Sequence, residues 1–442
     1  MSVLQVGKWA RGVALPPDWW VPKADGRTLD LDFGAGAYWD NAAGAQGIGA
    51  AASFDRNSQA GRFGPAGLYE SVAADVLRRD YDPATLAARG ALIEAAVAYA
   101  GVNSLLTGAV AGVVGSGGVK PDGMIIGRPN GLSEEVSLGT TDGVPWVEIR
   151  IFGTASSTAA ISIFLNASTG TAALQGQTWR HALYVAVTDD DPAVTVLQLQ
   201  VSERSNVGGF LAAAGATSIY ADRLTWARRS ISATLANAST ANIQQQIATG
   251  SITSGTAIDW KIRIGLATLT QTRYLPSPFA VGTSADTRLA DDLSRSITGL
   301  IGAAEGGLYF EGAPINAATA QILGGLYWAG GDLIEARRTG AGRIVVEAVS
   351  GGVQVAYLDL GAHIDGALVK VALGWAESDL AARMSGGSLL TDSSFPVPVG
   401  APTLRLGSRP GPVYLLNGHL RRAAMWSSRG LMTNTLIGSL VA

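Results

Sequence analysis

The chain has three histidines, His181, His363 and His419, and their spacing matches neither a HExxH-type pattern nor any other metal-ligand motif. Isolated histidines among apolar neighbours read as structural. Cysteine is absent, which removes thiolate nucleophiles, cysteine metal sites and disulfide frameworks together. Carboxylates are plentiful, but a glycosidic acid–base pair must be held ~5 to 9.5 Å apart, and linear spacing does not encode that geometry. Asp189 to Pro192 and the DDLS segment at Asp291 read as a loop and a turn. Their alternative use is calcium binding, because a hard cation takes several oxygens from such loops. The strings FGAGAYW and VVGSGG lack the GK[ST] ending of a phosphate-binding loop and read as turn or linker.

Aromatic residues are the remaining chemistry. The chain has 11 tryptophans, and an exposed ring can stack on the C–H face of a sugar while polar neighbours bond its hydroxyls. Trp179, Tyr184, Tyr327, Trp328, Trp375 and Trp426 lie in strand-rich regions and are the carbohydrate-binding candidates. Core packing competes for each of them, since strand tryptophans usually face inward. Trp9, Trp19 and Trp20 lie in a proline-containing segment with little periodicity. Exposing three indoles is costly on a monomer, so this segment reads as an arm that docks on another protein, with a local mini-core as the alternative.

The elements that must carry these residues are strands. At 442 residues the chain has room for two to four domains. Hydrophobic residues make up 47%, charged residues only 15%, and there are 57 glycines, which suits short strands and tight turns better than solvated helices. A net charge of -3, with neither sign in blocks, excludes the basic footprint needed for nucleic acid. The N-terminal MSVLQVGKWARG lacks the pattern of a secretory signal, so assembly inside the cell is the simpler expectation. Between Glu94 and Lys120 no charge appears, and AAVAYAGVNSLLTGAVAGVV has the length of a membrane helix. Its Gly, Ser, Thr and Asn content suits a buried strand pair or a subunit interface, and we prefer that to a span.

The chain divides into three parts. Residues 1–119 are irregular and end in the linker GVVGSGGVKPDG. One helix is expected at DPATLAARGALIEAAVAYA, with Asp82 as cap and Pro83 at its first position. Residues 120–275 contain PWVEIRIFG, TAAISIFLN, WRHALYVAV and AVTVLQLQVS, the regularly spaced short strands of a jelly roll or sandwich. Residues 276–442 begin at a proline-rich break. In LYWAGGDLIEARRTGAGRIVVEAVSGGVQVAYLDLG, strand-like runs are separated by Gly330–Gly331, by Thr339–Gly342 and by Ser350–Gly352, and glycine at such positions supplies the positive φ that tight hairpins need. An antiparallel meander and a second β-sandwich follow. The fold class is therefore mainly β.

Four segments resemble the structural proteins of tailed phages and gene-transfer-agent particles, the tail, head-fibre and spike components. They are LDLDFGAGAYW, FDRNSQAGRFGPAGLYE, RRDYDPATLAARGALIEAA and QTRYLPSPFAVGTSADTRLADDLS. The third is carried by Tyr81, Asp82, Pro83, Arg89, Gly90, Leu92, Ile93 and Glu94, the fourth by Thr272, Tyr274, Pro276, Thr287, Arg288 and Asp291. The C-terminal TLRLGS and LLNGHLRRAAMWSSRGLMT look like the closing strands of a laminin-G-like or concanavalin-like sandwich. The resemblance implies a virion protein assembled in the bacterial cytoplasm and exposed on the particle. Residues 1–119 would anchor it to capsid, portal or tail, followed by a carbohydrate-binding-like jelly roll and a lectin-like sandwich. It implies a non-enzymatic fibre, spike or tail projection that attaches to host surface polysaccharide. A homo-oligomer is expected, a trimer or, at a capsid vertex, a pentamer, with no cofactor required. The alternatives are a polysaccharide depolymerase on the same scaffold and a purely architectural subunit.

Overall fold

The runs of β-branched and aromatic residues separated by glycine turns close into antiparallel ladders along the whole computed structural model, which describes residues 25–166, 170–302, 304–315 and 319–442. Two short helices, Ile48–Ala51 and Asn434–Leu440, are the α-helical elements among these residues. The docking candidates Trp9, Trp19 and Trp20 lie outside the described residues.

The chain forms two compact units. The first combines residues up to Arg56, Asp75–Ala95 and Ala290–Ala442; the second combines Asn57–Ala74 and Ala96–Leu289. The division expected near residues 119 and 275 thus differs from the one formed. Residues before 119 do not stand apart, because several of their strands complete sheets begun far downstream. Arg27–Asp32 pairs with Gly418–Trp426, and Ser53–Asp55 pairs with Asp292–Ser296.

In the first unit, a ten-stranded sheet is centred on Gly418–Trp426 and Gly306–Pro314. A seven-stranded sheet runs from Val353–Ala362 through Arg343–Ser350, Leu333–Arg338, Gln321–Tyr327, Thr403–Leu406 and Asp292–Ser296 to Ser53–Asp55. The expected meander forms, with Gly330, Gly331, Gly342, Gly351 and Gly352 all at positive φ. Phe310, Leu326, Ile334, Val346, Trp375, Phe395 and Leu404 are buried in this unit's core.

The second unit pairs an eight-stranded sheet, whose centre is Leu132–Thr141, Val144–Thr154, Ala257–Thr270 and Thr178–Asp189, with a six-stranded one. The latter runs in the order Ile125–Gly127, Ala159–Phe164, Asn242–Ile252, Leu197–Arg204, Phe210–Ser218. Val147, Ile149, Ile161, Ile163, Leu199, Val201, Ile247, Trp260 and Ile262 form its core. The charge-free stretch after Glu94 becomes the strand Val97–Tyr99, turns and the short strand Gly112–Val113. No described helix is long and apolar enough to cross a membrane.

The helix expected at Asp82 does not form. Asp82 Oδ1 accepts from the backbone N–H groups of Ala84 and Thr85, which closes a tight turn, and Ala88–Ile93 then runs as a strand beside Gly418–Trp426. Gly90 is the physical reason. It sits at φ +108°, and a Cβ there would collide with the Leu420 carbonyl oxygen, so the segment is built to lie against another strand. The strand pairing overrides the local helix propensity.

Two sets of buried polar groups stand out against the apolar cores. In the first unit, Asp291 and Arg78 have no exposure and Arg56 and Glu94 have almost none. Arg56 reaches Asp291 Oδ1 at 3.1 Å, while Arg78 bonds Asp291 Oδ2 at 2.5 Å and Glu94 at 2.7 Å. The backbone N–H of Glu94 donates to Asp291 as well, at 2.8 Å. Two cations and two anions are thus balanced and hydrogen-bonded, the condition under which buried charge is tolerated. In the second unit, His181 is fully buried. Desolvation pushes its pKa down to about 3, with only a contact to the Gln200 backbone opposing it.

Both arrangements have measurable consequences. Asp291→Ala leaves two arginines buried without their shared carboxylate and is expected to cost about 3–5 kcal/mol. A denaturant midpoint within error of wild type would show that the cluster adds nothing to the fold. For His181, the folded pKa of about 3 lies below the ordinary value of 6.5. The unfolded chain therefore binds the proton first, and stability is complete above pH 6.5 and falls as pH drops toward 3. The slope is about 1.4 kcal/mol per pH unit. Urea titrations of wild type and His181→Leu across that window should diverge by this amount, and parallel curves would refute it.

Candidate functional site: an amide-lined sheet face

The six aromatic candidates do not converge. Tyr327, Trp328, Trp375 and Trp426 belong to the first unit and Trp179 and Tyr184 to the second. Trp375 and Trp426 are 1% and 0% exposed, and Trp179, Tyr327 and Trp328 are also buried. Their polar atoms are engaged inside the protein. Trp179 Nε1 donates to Gln177, Trp328 Nε1 to the Gly400 carbonyl and Trp426 Nε1 to the Asp25 carbonyl. The Tyr327 hydroxyl donates to Glu335 at 2.8 Å, and burial together with that carboxylate holds its pKa well above the ordinary range. Five of the six therefore present no ring to a sugar, because their side chains lie in the apolar interior or are covered by neighbours.

Tyr184 is the exception, half-buried on the outer side of the eight-stranded sheet. It lies in a cross-strand row with Trp146 and Gly265, and its ring centroid is 5.7 Å from that of Trp226. The indoles here have structural duties. Trp146 lies across Gly139 and under the Arg263 guanidinium, 3.9 Å from its ring centroid, while Trp226 covers Gly265. Large rings laid over sheet glycines restore packing that the missing side chains forfeit.

The other chemistry-bearing residues are likewise engaged. His363 Nε2 meets the Ala367 carbonyl, and His419 Nε2 meets Asp80 at 2.9 Å. Asp189 pairs with Lys261 and Asp190 with Arg223, and Asp191 accepts from the backbone N–H groups of Asp259 and Ala193. Among the described residues no three His, Cys, Asp or Glu side chains gather into a metal-sized group. Glu335 and Glu347 are cross-strand neighbours on the seven-stranded sheet, but Arg409 reaches both and Arg337 bonds Glu347 at 2.7 Å. A groove of about 280 Å³ between Ile297–Gly302 and Gly400–Pro402 has apolar and glycine walls and no charged lining residue.

One surface combines unengaged polar groups with aromatic rims, and strand alternation builds it. In Leu197–Arg204, the residues Leu197, Leu199 and Val201 enter the core of the second unit, so Gln198, Gln200, Ser202 and Arg204 take the opposite face. In Asn242–Ile252, Ile243 and Ile247 point inward, placing Gln244 and Gln246 outward; in Ala159–Phe164, Ile161 and Ile163 do the same for Ser162 and Phe164. The register aligns Gln200, Gln246 and Phe164 in one row, Ser202 with Gln244 in the next, and Arg204 with Asn242 beyond it.

Within this array Ser202 donates to Gln246 Oε1 at 2.8 Å, and Gln246 Nε2 donates to Ser162 at 3.0 Å. Ser202, Gln244 and Gln246 are buried within the face, so they order it through their own bonds while Gln198, Gln200 and Arg204 are its more accessible members. The side-chain amides of Gln198 and Gln200, half-buried beside it, have no hydrogen bond to any described residue. Each offers an acceptor and two donors. Arg204 lies between the rings of Phe164 and Phe210, 5.2 and 5.4 Å from their centroids, and its partial desolvation lowers its pKa. Phe210 is 59% exposed. The adjoining edge strand Phe210–Ser218, FLAAAGATS, carries small side chains that leave the amide rows open on that side. A planar amide row with a stacked guanidinium and an exposed ring can bond vicinal hydroxyls and pack against a saccharide ring at once.

None of these residues is among the aromatic candidates. The signal lay in polar parity, which LQLQVSER keeps up to Glu203 and NIQQQI keeps except at Gln245, both of which are buried on the inward side. That pattern defines two strand faces. It does not show which polar faces have amides left unbonded.

No family model matches the sequence, and no curated protein matches it. Solved structures with partial likeness include the CBM40 module of the Ruminococcus gnavus IT-sialidase bound to α2,3-sialyllactose. That match has 17% identity and a TM-score of 0.28, and covers 32% of this chain and 84% of that one. The LG4-5 domains of the mouse laminin α1 chain match with 11% identity and a TM-score of 0.23 over 66% and 92% of the two chains. The tandem CBM22-1–CBM22-2 domain of Paenibacillus barcinonensis Xyn10C matches with 8% identity and a TM-score of 0.23 over 72% and 95%. The chain itself is a mainly β protein of sandwich type.

Proposed function

We propose that the protein is a polysaccharide-binding β protein that uses the amide face of its second unit and performs no catalysis. The observation that carries this reading is the pair of half-buried glutamines, Gln198 and Gln200, whose amides bond no described residue while Gln246, Ser202 and Ser162 are locked beside them. Polar groups prepositioned with open valences, next to an exposed ring, are what sugar hydroxyls require. The non-catalytic part rests on the carboxylates. The cross-strand pair Glu335 and Glu347 is held by arginines, and the aspartates of the Asp189–Asp191 loop are held by cations or backbone.

We read the setting as the surface of a phage or gene-transfer-agent particle, where the chain would serve as a head fibre, spike or tail projection joined to capsid, portal or tail. That part rests on the four order-matched sequence segments. Repetition in a homo-oligomer, a trimer or a pentamer, would raise weak single-site affinity through effective concentration.

Full-length protein should be retained by surface polysaccharide in affinity electrophoresis and on a glycan array displayed multivalently. Gln200→Ala combined with Gln246→Ala should weaken retention roughly tenfold or more, about 1.4 kcal/mol per decade. Tyr184→Phe, on the other sheet, should leave it unchanged. Absence of binding at high multivalency would remove the adhesive reading, and release of oligosaccharide would replace it with a depolymerase. Immunogold labelling of particles, with no label on heads or tails, would refute the virion setting.

A further inference from the structure

We propose that the ligand of this face is an acidic glycan whose oxyanion is received by Arg204; the inference rests on the polysaccharide-binding reading above. Most of the protein's arginines are matched to acids, as in Arg150 with Glu135 and Asp259, Arg223 with Asp190, Arg343 with Asp359 and Arg422 with Asp30. Arg204 is different. No described carboxylate pairs with it, no described residue accepts from its guanidinium, and its Nε is buried without a partner.

This arginine is also held still. Its guanidinium carbon lies over the rings of Phe164 and Phe210, 5.2 and 5.4 Å from their centroids, which confines it on two sides and leaves its N–H groups for another partner. A cation that is partly desolvated, stacked and without a counter-ion is costly, and an incoming oxyanion relieves that cost with charge-assisted, bidentate hydrogen bonds. The neighbours complete the pocket chemistry. Arg204 follows Gln198, Gln200 and Ser202 along one strand face and pairs across with Asn242, beside Gln244. An anion at Arg204 would therefore place the rest of a sugar over the amides. No acidic side chain lies on these outward positions: Glu203, its neighbour in the chain, points into the interior, where it accepts from Ala236, Asn237 and Thr240.

The test uses full-length protein and matched polymers: polygalacturonate against its methyl ester, dextran sulfate against dextran, and an array holding neutral, uronate, sialylated and sulfated saccharides. Acidic members should be retained over their neutral counterparts, and added salt should weaken that retention. Arg204→Gln should reduce it roughly ten- to hundredfold, the scale of a lost hydrogen bond to a charged group. Arg204→Lys, which keeps charge without the planar fork, should recover only part. The carboxylate and sulfate arms identify which oxyanion is taken. Unchanged urea midpoints for both variants keep the comparison with folding separate, and the salt response of wild type tests the inference without any variant. Equal retention of neutral and acidic partners, insensitive to Arg204→Gln, would overturn this inference and leave polysaccharide binding standing. No retention of any saccharide would overturn both.

Discussion

Four charges without solvent, Arg56, Arg78, Glu94 and Asp291, sit where the chain repeatedly enters and leaves the first unit. The chain leaves after Arg56, returns at Asp75, leaves again after Ala95 and returns at Ala290. Asp291 bonds Arg56 and Arg78, Arg78 bonds Glu94, and Glu94 bonds back to Asp291 through its own N–H. The Arg56 N–H adds Asp75 to the same set. Every crossing is therefore tied to the others by charge-assisted bonds. Ion pairs of this kind contribute little net stability against an apolar substitute, but a single missing partner leaves an uncompensated charge. The four residues come from three of the short segments singled out in the sequence, which gives those stretches a physical task.

The second unit is built separately, and its amide face follows from ordinary strand alternation. Inward rows of Leu, Ile and Val, broken by the buried Glu203 and Gln245, leave Gln, Ser and Arg on the opposite rows. The rigid scaffold matters because an amide that bonds a sugar must not first be ordered at an entropic cost. Ser202, Gln246 and Ser162 supply that order through mutual bonds. The tryptophans contribute differently. Those among the described residues fill cores or cover sheet glycines, and the described rings that border the polar rows are the exposed Phe210 and the half-buried Phe164.

Much of the architecture was legible before any coordinates. The meander of residues 321–362 follows from glycines at the places where hairpins need positive φ, and the strands of the second unit follow from their β-branched alternation. The segment at Asp82 was not legible in the same way. Its cap, proline and run of alanines match a helix start, but Gly90 is there so that a strand can lie against the Leu420 backbone. Local propensity is worth less than a ladder of cross-strand bonds, and a partner more than three hundred residues away leaves no local trace. Five of the six aromatic candidates are buried for a related reason: residue type shows that a ring can stack on a sugar, whereas burial decides whether it is available.

By itself, the sequence determined that this is a β protein without cysteine chemistry or a nucleic-acid footprint, with hairpins at its glycine pairs, because these properties depend on composition, charge and the two-residue period of a strand. Tertiary structure alone decided that segments around Arg27, Phe54 and Leu92 belong with the C-terminal sandwich, that Trp375 and Trp426 are core, and that Arg204, beside Gln198 and Gln200, pairs with no described carboxylate. Each of those is a statement about which distant side chains meet, and pairing between strands far apart in the chain is set by the packing of whole sheets.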